Sequence, residues 1–287
     1  MKLRELQSRL EKVLEKVTES WVHEAKIILL EVLGISTVDL IMDKEKEVPD
    51  EKVEMAEAIA VRRLANEPLQ YILGKQAFMG LDFSVDDSVL IPRPETEVLV
   101  EWVLERIEDI KSPKVLDIGT GSGAIAISIA YQNTWADVFA SDISSSAIEK
   151  AKQNAVNNNV SGRVRFFESN LFVDVSEKDF DLIVSNPPYI PAGEVNGMQR
   201  EVALYEPHLA LFGGEDGLDF YRRIIPEALS YMKDGGILIF EAGHDQADVI
   251  EAIMVSAGYE DVNHFSDLCG VPRFIYGKKV LWRHENV

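Results

Sequence analysis

The sequence predicts an α/β protein: a mostly parallel sheet covered by helices on both faces, preceded by a small helical domain. Three observations predict it. From residue 114 onward, short apolar segments alternate with longer helical ones, the pattern of strands joined by crossover helices. Before residue 67, apolar residues recur at three- and four-residue steps, which marks helix faces. A glycine-rich run, Gly119-Thr120-Gly121-Ser122-Gly123, sits where a strand passes into a helix.

The elements follow in order. Leu3, Leu6, Leu10, Val13, Leu14 and Val17 mark a first helix, and Trp21, Ala25, Ile28, Leu29 and Val32 a second. Gly34 is a natural stop for it. Ser36 with Asp39 resembles a helix start, with Asp in place of the usual Glu or Gln. Val53, Ala56, Ala60 and Leu64 form a further stripe with Asp50 as the expected cap. These helices make a domain of residues 1–66. Residues 67–90 read as a linker with a β-hairpin over 76–85, turning at Gly80. Two prolines, Pro92 and Pro94, stop any earlier helix, and a new one follows to residue 110. In the last domain, 91–287, strands are expected over 115–118, 138–142, 164–167, 180–185 and 237–241, and two more within 259–282. Helices are expected over 124–131, 144–157 and 220–232.

Composition bounds the function. Hydrophobic residues at 46% and charged ones at 27% describe a soluble globular chain. The single cysteine, Cys269, excludes an intramolecular disulfide, and no Cys/His cluster has zinc spacing, so no metal site is expected. Such usage fits a reducing cytoplasm. The N-terminus does not read as a signal peptide. Apolar runs such as Ala124-Ile125-Ala126-Ile127 are far short of a membrane span. A net charge of −20 repels phosphate backbones and disfavours nucleic acid as a partner.

Three motifs carry chemistry. The glycines of 119–123 allow a tight turn and close approach of a ligand. Their G-x-G-x-G spacing differs from the dinucleotide pattern, and no G-K-[ST] follows, which argues against a nicotinamide oxidoreductase and an NTPase. Asp142 ends the second strand of the alternating region, where a carboxylate can accept from both hydroxyls of a ribose; the competing role is capping the helix at Ser144. Asn186-Pro187-Pro188-Tyr189 follows an apolar strand. There the Asn186 side-chain oxygen and the Pro187 carbonyl can grip both hydrogens of one NH₂ group, while Tyr189 packs on a flat π-system. A conjugated amide or aromatic amine is a poor nucleophile. Acceptors that hold its hydrogens orient it and stabilise the positive charge that grows on nitrogen. Asn170 can meet an adenine amine and Leu171 its ring. Glu241 ends a strand and either faces the pocket or the core. His244 reads as a neighbour of a helix cap and His23 as a surface residue, and no His/Asp pattern supports Cys269 as a catalytic thiol.

Asp117 to Gly123 followed by Asn186-Pro187-Pro188-Tyr189 resembles the class I methyltransferase plan. Glu67 to Gly74, Ile91 to Glu97, Ser185 to Pro191 and Glu206 to Tyr221 are similar to the HemK/PrmC family, the release factor glutamine N5-methyltransferases. The resemblance runs from about residue 60 to the end, and the helical N-terminal domain matches in layout. It implies a Rossmann-like, seven-stranded sheet and S-adenosylmethionine as methyl donor, with S-adenosylhomocysteine as product. The sulfonium of that donor is compatible with an acidic protein, though the acidity reads first as serving solubility. It implies methylation of the glutamine in the Gly-Gly-Gln motif of peptide-chain release factors, in the cytoplasm, by a protein expected to be a monomer without membrane or direct nucleic-acid partners. By the resemblance Gly119, Thr120, Gly121, Ser122, Gly123, Asp142, Asn170, Leu171 and Asn186 contact the cofactor. Asn186, Pro187, Pro188 and Tyr189 hold the glutamine, Arg93 and Glu95 lie beside the pocket, and the N-terminal helices grip the release factor. Asn170-Leu171 departs from the acidic–aromatic pair common in the family at that place. A nucleic-acid amine methyltransferase acting on adenine N6 or guanine N2 uses the same Asn-Pro-Pro-Tyr logic, and a non-catalytic S-adenosylmethionine-binding module shares the fold. Against the first stands the acidic charge, and against the second the intact amine-gripping motif.

Overall fold

Leucines at helical spacing close the first unit. The computed structural model describes residues 1–280, which divide into two units. Unit one holds Met1–Gly74 and Gln199–Tyr205. Its helices are α1 (Leu3–Leu14), α2 (Trp21–Leu33), α3 (Thr37–Met42), α4 (Asp50–Leu64) and α5 (Leu69–Leu73), with α9 (Arg200–Tyr205) added from later in the chain. Leu3, Leu6, Leu10 and Leu14 of α1 are buried with Ala25, Ile28, Leu29 and Val32 of α2 in one core. Gly34 ends α2 in the left-handed region at φ 63°. Ser36 and Asp39 exchange hydrogen bonds as a capping box, with the shorter Asp doing what Glu usually does.

The helical unit departs from expectation in three places. Pro49, not Asp50, is the cap of α4; Asp50 opens the helix, where its charge meets the positive end of the dipole. The unit runs past residue 66 through α5 to Gly74, because a five-residue helix is too short to show periodicity. Residues 199–205 join it as well. Buried Arg63 pairs with Glu24 at 2.8 Å and also with Glu201 of α9.

Unit two holds Lys75–Met198 and the residues from Glu206 onward. A hairpin, β1 (Lys75–Phe78) and β2 (Leu81–Ser84), turns through Met79 and Gly80 at φ 51° and 74°. Then come α6 (Pro94–Ile107), β3 (Lys114–Ile118), α7 (Ala124–Gln132), β4 (Asp137–Asp142), α8 (Ser145–Asn157), β5 (Val164–Glu168) and β6 (Phe180–Ser185). After α9 follow α10 (Asp219–Ala228), β7 (Met232–Glu241), α11 (Ala247–Ser256), β8 (Tyr259–Ser266) and β9 (Pro272–Lys279). The expected helix over 220–232 stops at Ala228 and the next strand already starts at Met232, while α11 adds to the expected elements. Positions 281 and 282 of the expected final strand lie outside the described residues.

The sheet has seven strands in the order β5-β4-β3-β6-β7-β9-β8. The first five are parallel, and β9 runs antiparallel to both β7 and β8. Alternate strand residues feed separate cores. Val115, Val138, Leu182 and Ile239 pack with α6 and α7, whereas Leu116, Phe139, Ile183 and Leu238 pack with α10 and α11. All six residues of β6 are buried, as a strand covered on both faces requires. Strand order reverses between β3 and β6, which opens a crevice at their carboxyl ends. Among the described residues no helix is long and apolar enough to cross a membrane.

Candidate active site

That crevice is a cavity of about 360 Å³ at the carboxyl ends of β3, β4 and β6. Gly119 and Gly121 line it from the loop after β3, Asp142 from the end of β4, and Asn170 and Leu171 from the loop after β5. Asn186, Pro187 and Pro188 line it from the segment after β6. Four stretches distant in sequence thus meet at one site.

The glycine loop is built from two carboxylates. Asp117, fully buried, accepts from the Thr120 hydroxyl at 2.6 Å and the Ala126 N–H at 3.3 Å. Burial pushes its pKa up to about 7. Its other oxygen, Oδ1, has no partner among the described residues, and Asp117 does not line the cavity. Gly119 and Gly121 stand at φ 73° and 54°, where a side chain would be strained. The Asp142 carboxylate accepts from the Gly121 N–H and the Ser144 N–H, each at 2.9 Å. Each oxygen keeps a lone pair for a further donor, so both roles weighed for Asp142, loop brace and ligand acceptor, are compatible. Burial raises its pKa also.

Thr120, Ser122 and Gly123 do not line the cavity. The Thr120 hydroxyl is committed to Asp117. The Ser122 carbonyl accepts from the buried Asn154 amide at 2.9 Å. Gly123 packs helix against helix: a Cβ there would stand 2.7 Å from Ile127 Cδ1 and 3.1 Å from Ala151 Cβ. Their work is to shape the loop.

Leu171 holds φ 57°, an uncommon conformation for leucine that turns the chain at the cavity wall. Asn170 accepts from Arg223 at 2.8 Å, and Arg223 lines the same cavity. Val89, Leu90, Ile143, Leu209 and Phe220 complete an apolar wall. Pattern reading misses these; Leu209 and Phe220 fall within the 206–221 stretch that carries the family resemblance, but no periodicity assigns them to a pocket.

Arg93 and Glu95 do not line the cavity either. Arg93 donates to Glu206 at 2.6 Å, and Glu95 is exposed. The next residue in the first turn of α6, Thr96, matters more: its hydroxyl donates to Glu241 at 2.7 Å, with both groups buried. Burial pushes the Glu241 carboxyl up to about 7. Tyr189 does not line the cavity; it is half-buried, packs against the core cluster that includes α10, and burial pushes its phenol up to about 12.

A second stretch of chain clasps the Asn-Pro-Pro-Tyr segment. Ile190 donates to Leu211 at 2.9 Å, Gly213 to Ile190 at 3.0 Å, and Ala192 to Gly214 at 2.9 Å. The Gln246 amide donates to the Tyr189 carbonyl at 2.9 Å. A Cβ on Gly213 would stand 2.6 Å from the Pro188 carbonyl oxygen, and one on Gly217 would overlap the Tyr189 carbonyl. The glycines of the 206–221 stretch are therefore needed for close backbone approach.

Family models match both units: "PrmC N-terminal domain" over residues 5–74 and "Methyltransferase small domain" over 94–204. A release factor glutamine methyltransferase of Geobacter sulfurreducens is 43% identical over 264 residues, covering 92% of each chain. The chain belongs to the release factor glutamine methyltransferase family. A second member, from Bradyrhizobium diazoefficiens, is 39% identical over 90% of this chain and 88% of its own. A solved methyltransferase of Pyrococcus furiosus shares the fold, with a TM-score of 0.52 and 21% identity over 77% of this chain and 98% of that one. As a family member the chain is a methyltransferase, and its seven-stranded sheet is the class I methyltransferase sheet.

Proposed function

We propose that this enzyme transfers a methyl group from S-adenosylmethionine to the side-chain amide nitrogen of the glutamine in the Gly-Gly-Gln motif of a peptide-chain release factor. The observation that carries this is the convergence of Asn186, Pro187 and Pro188 on the same cavity as Gly119, Gly121 and Asp142.

The residues fit the donor. Asp142 has lone pairs left for ribose hydroxyls. The wall around Ile143 and Leu171 is apolar enough for an adenine face. When bound, the donor supplies an electrophilic methyl carbon on a sulfonium sulfur. Asn186 Oδ1 and the Pro187 carbonyl accept from the two hydrogens of the glutamine NH₂ and aim its nitrogen at that carbon. The same acceptors would stabilise the positive charge that grows on nitrogen as it takes the methyl group from sulfur, and the nitrogen would then lose one proton to solvent. Pre-alignment supplies much of the remaining rate enhancement. The protein is read as a cytoplasmic monomer whose partner is the release factor, not nucleic acid or membrane.

The deciding experiment measures transfer of labelled methyl from S-adenosylmethionine to a purified release factor, to its Gly-Gly-Ala variant, and to a mixed DNA and RNA sample. Label on the wild-type factor alone is expected. Label on nucleic acid, or on both protein forms equally, would mean that the amine-gripping chemistry is right and the substrate wrong.

A further inference from the structure

We propose that Thr96 and Glu241 are positioning residues that fix which way the Asn186 carboxamide faces, so that its oxygen, not its nitrogen, meets the substrate amine. This rests on the role given to Asn186 under the proposed function and adds the device that enforces it.

Sheet register brings the three groups together. Ser185 of β6 pairs with Phe240 of β7, so the next residue on each strand, Asn186 and Glu241, leave the sheet side by side. Asn186 lines the cavity; Thr96 and Glu241 stand behind it, 5% and 2% exposed. Thr96 Oγ1 donates its one proton to Glu241 Oε2 at 2.7 Å. With that proton committed, the hydroxyl can only accept. The Asn186 Nδ2 lies 3.4 Å from it and donates, and the Glu241 carboxylate is a second acceptor for the same amide. Both acceptors call for the nitrogen at the back, which leaves Oδ1 at the front. The reversed rotamer would place two donor hydrogens against the two donor hydrogens of a glutamine NH₂.

The polarity of this chain of hydrogen bonds depends on an ionised Glu241. Protonated, the carboxyl becomes a donor; it can donate to Thr96, which can then donate to Asn186 Oδ1 and turn the amide round. The groups around Glu241 are Thr96 and Glu95 of α6, Asn186 and Tyr189 after β6, Arg273 of β9, and Tyr221 of α10, whose hydroxyl donates to the Glu241 carbonyl at 2.9 Å. Burial and the Glu95 charge raise its pKa, to about 7, against the opposing pull of Thr96, Arg273 and Asn186. Activity therefore falls as pH drops through the neutral range.

The test uses the full-length enzyme with an intact release factor and the variants T96V, T96S and E241Q. Wild type run alongside reports whether glutamine is methylated at all, so failure of the function and failure of the pair are separate results. T96V is expected to lower kcat by about tenfold or more, the worth of one hydrogen bond to a charged group. S-adenosylmethionine affinity should stay within about twofold, since T96V leaves the donor's acceptors in place. T96S, which keeps the hydroxyl, should recover most of the rate. In wild type kcat/KM should fall below about pH 7 with a one-proton slope, and E241Q should lose that limb. Asp117, also pushed up to about 7, is the other candidate source. An acid limb that survives E241Q would belong to Asp117 and overturn the role of Glu241, and a wild-type kcat in T96V would overturn the pair. Should T96V fold poorly, E241Q and its pH profile decide alone.

Discussion

Replacing Gly213 with alanine tests whether the loop of 211–214 holds the substrate-gripping segment in place. The added Cβ would stand 2.6 Å from the Pro188 carbonyl oxygen and 2.7 Å from the Gly217 carbonyl oxygen. Both obstacles are backbone, and neither can swing aside as a side-chain tip would. Relief to an ordinary 3.4 Å contact requires the two segments to part by about 0.8 Å. Gly213 does not occupy the left-handed region, so conformational strain adds nothing; the whole effect is contact. Overpacking of this kind costs about 1–3 kcal/mol, which lowers the melting midpoint by about 2–4 °C per kcal/mol for a unit of this size. The rate should suffer more than the stability. Displacement near 1 Å at an aligned site costs up to about 100-fold, so kcat should fall by about 10- to 50-fold, with donor affinity changed much less because Asp142 and the glycine loop are on other strands. The assay is steady-state methyl transfer to the release factor beside a calorimetric titration with S-adenosylhomocysteine. Gly162, with nothing within 4 Å of its Cβ position, provides the control substitution. A G213A enzyme with the kcat of wild type would refute the clasp.

Asp142→Ala should weaken S-adenosylhomocysteine binding by about tenfold or more, through loss of hydrogen bonds to a charged acceptor and of the brace on Gly121; an unchanged Kd in calorimetry would remove the ribose role. Asp117 gives a pH-dependent stability effect. Burial raises its folded pKa from 3.8 to about 7, so the folded state keeps a proton that the unfolded chain has released. Its contribution to stability is then present below about pH 4 and lost as pH rises toward and through 7, by at most about 4 kcal/mol. Asp117→Asn should accordingly gain on wild type in melting midpoint as the pH is taken from 5 to 8, and a constant difference between the two proteins across that range would count against the buried-acid account.

Features that depend on neighbours in the chain are legible in the sequence. The Gly34 stop, the Ser36–Asp39 box, the Gly80 hairpin and every strand of the large sheet follow from spacing and turn chemistry within a few residues. So does the entry of Gly119 and Gly121 into the cavity, because a glycine run between an apolar strand and a helix leaves little freedom in where the backbone goes. Asn186 is legible for the same reason: a polar residue followed by two prolines at the end of a fully apolar strand sits where open α/β sheets bind ligands. Within the glycine loop only Gly119 and Gly121 line the cavity. Thr120, Ser122 and Gly123 share the motif, yet their groups turn to Asp117, Asn154 and α8 respectively. A motif identifies a loop, and only packing decides which of its members face the ligand.

What escapes the sequence is what pairs across long separations. Thr96 and Glu241 are 145 residues apart, and neither stands out by composition: a threonine in the first turn of a helix, and an acid at the end of a strand. Arg63 and Glu201 meet only because residues 199–205 cluster with the helical unit and not with the strands that flank them in sequence. Gly213 has no positive φ, and its Gly213-Gly214 pair signals only a turn; its necessity comes from two carbonyls supplied by other segments. These residues share one physical property. Each satisfies or makes room for a buried polar group whose partner the local chain cannot provide. A buried carboxylate such as Glu241 is costly to keep, and a glutamine would fill nearly the same space. The carboxylate differs in one respect that the amide cannot match: ionised, it is an acceptor only. A site whose chemistry depends on presenting oxygen to an NH₂ group has a use for an obligate acceptor behind the amide that presents it, and that is where Glu241 stands.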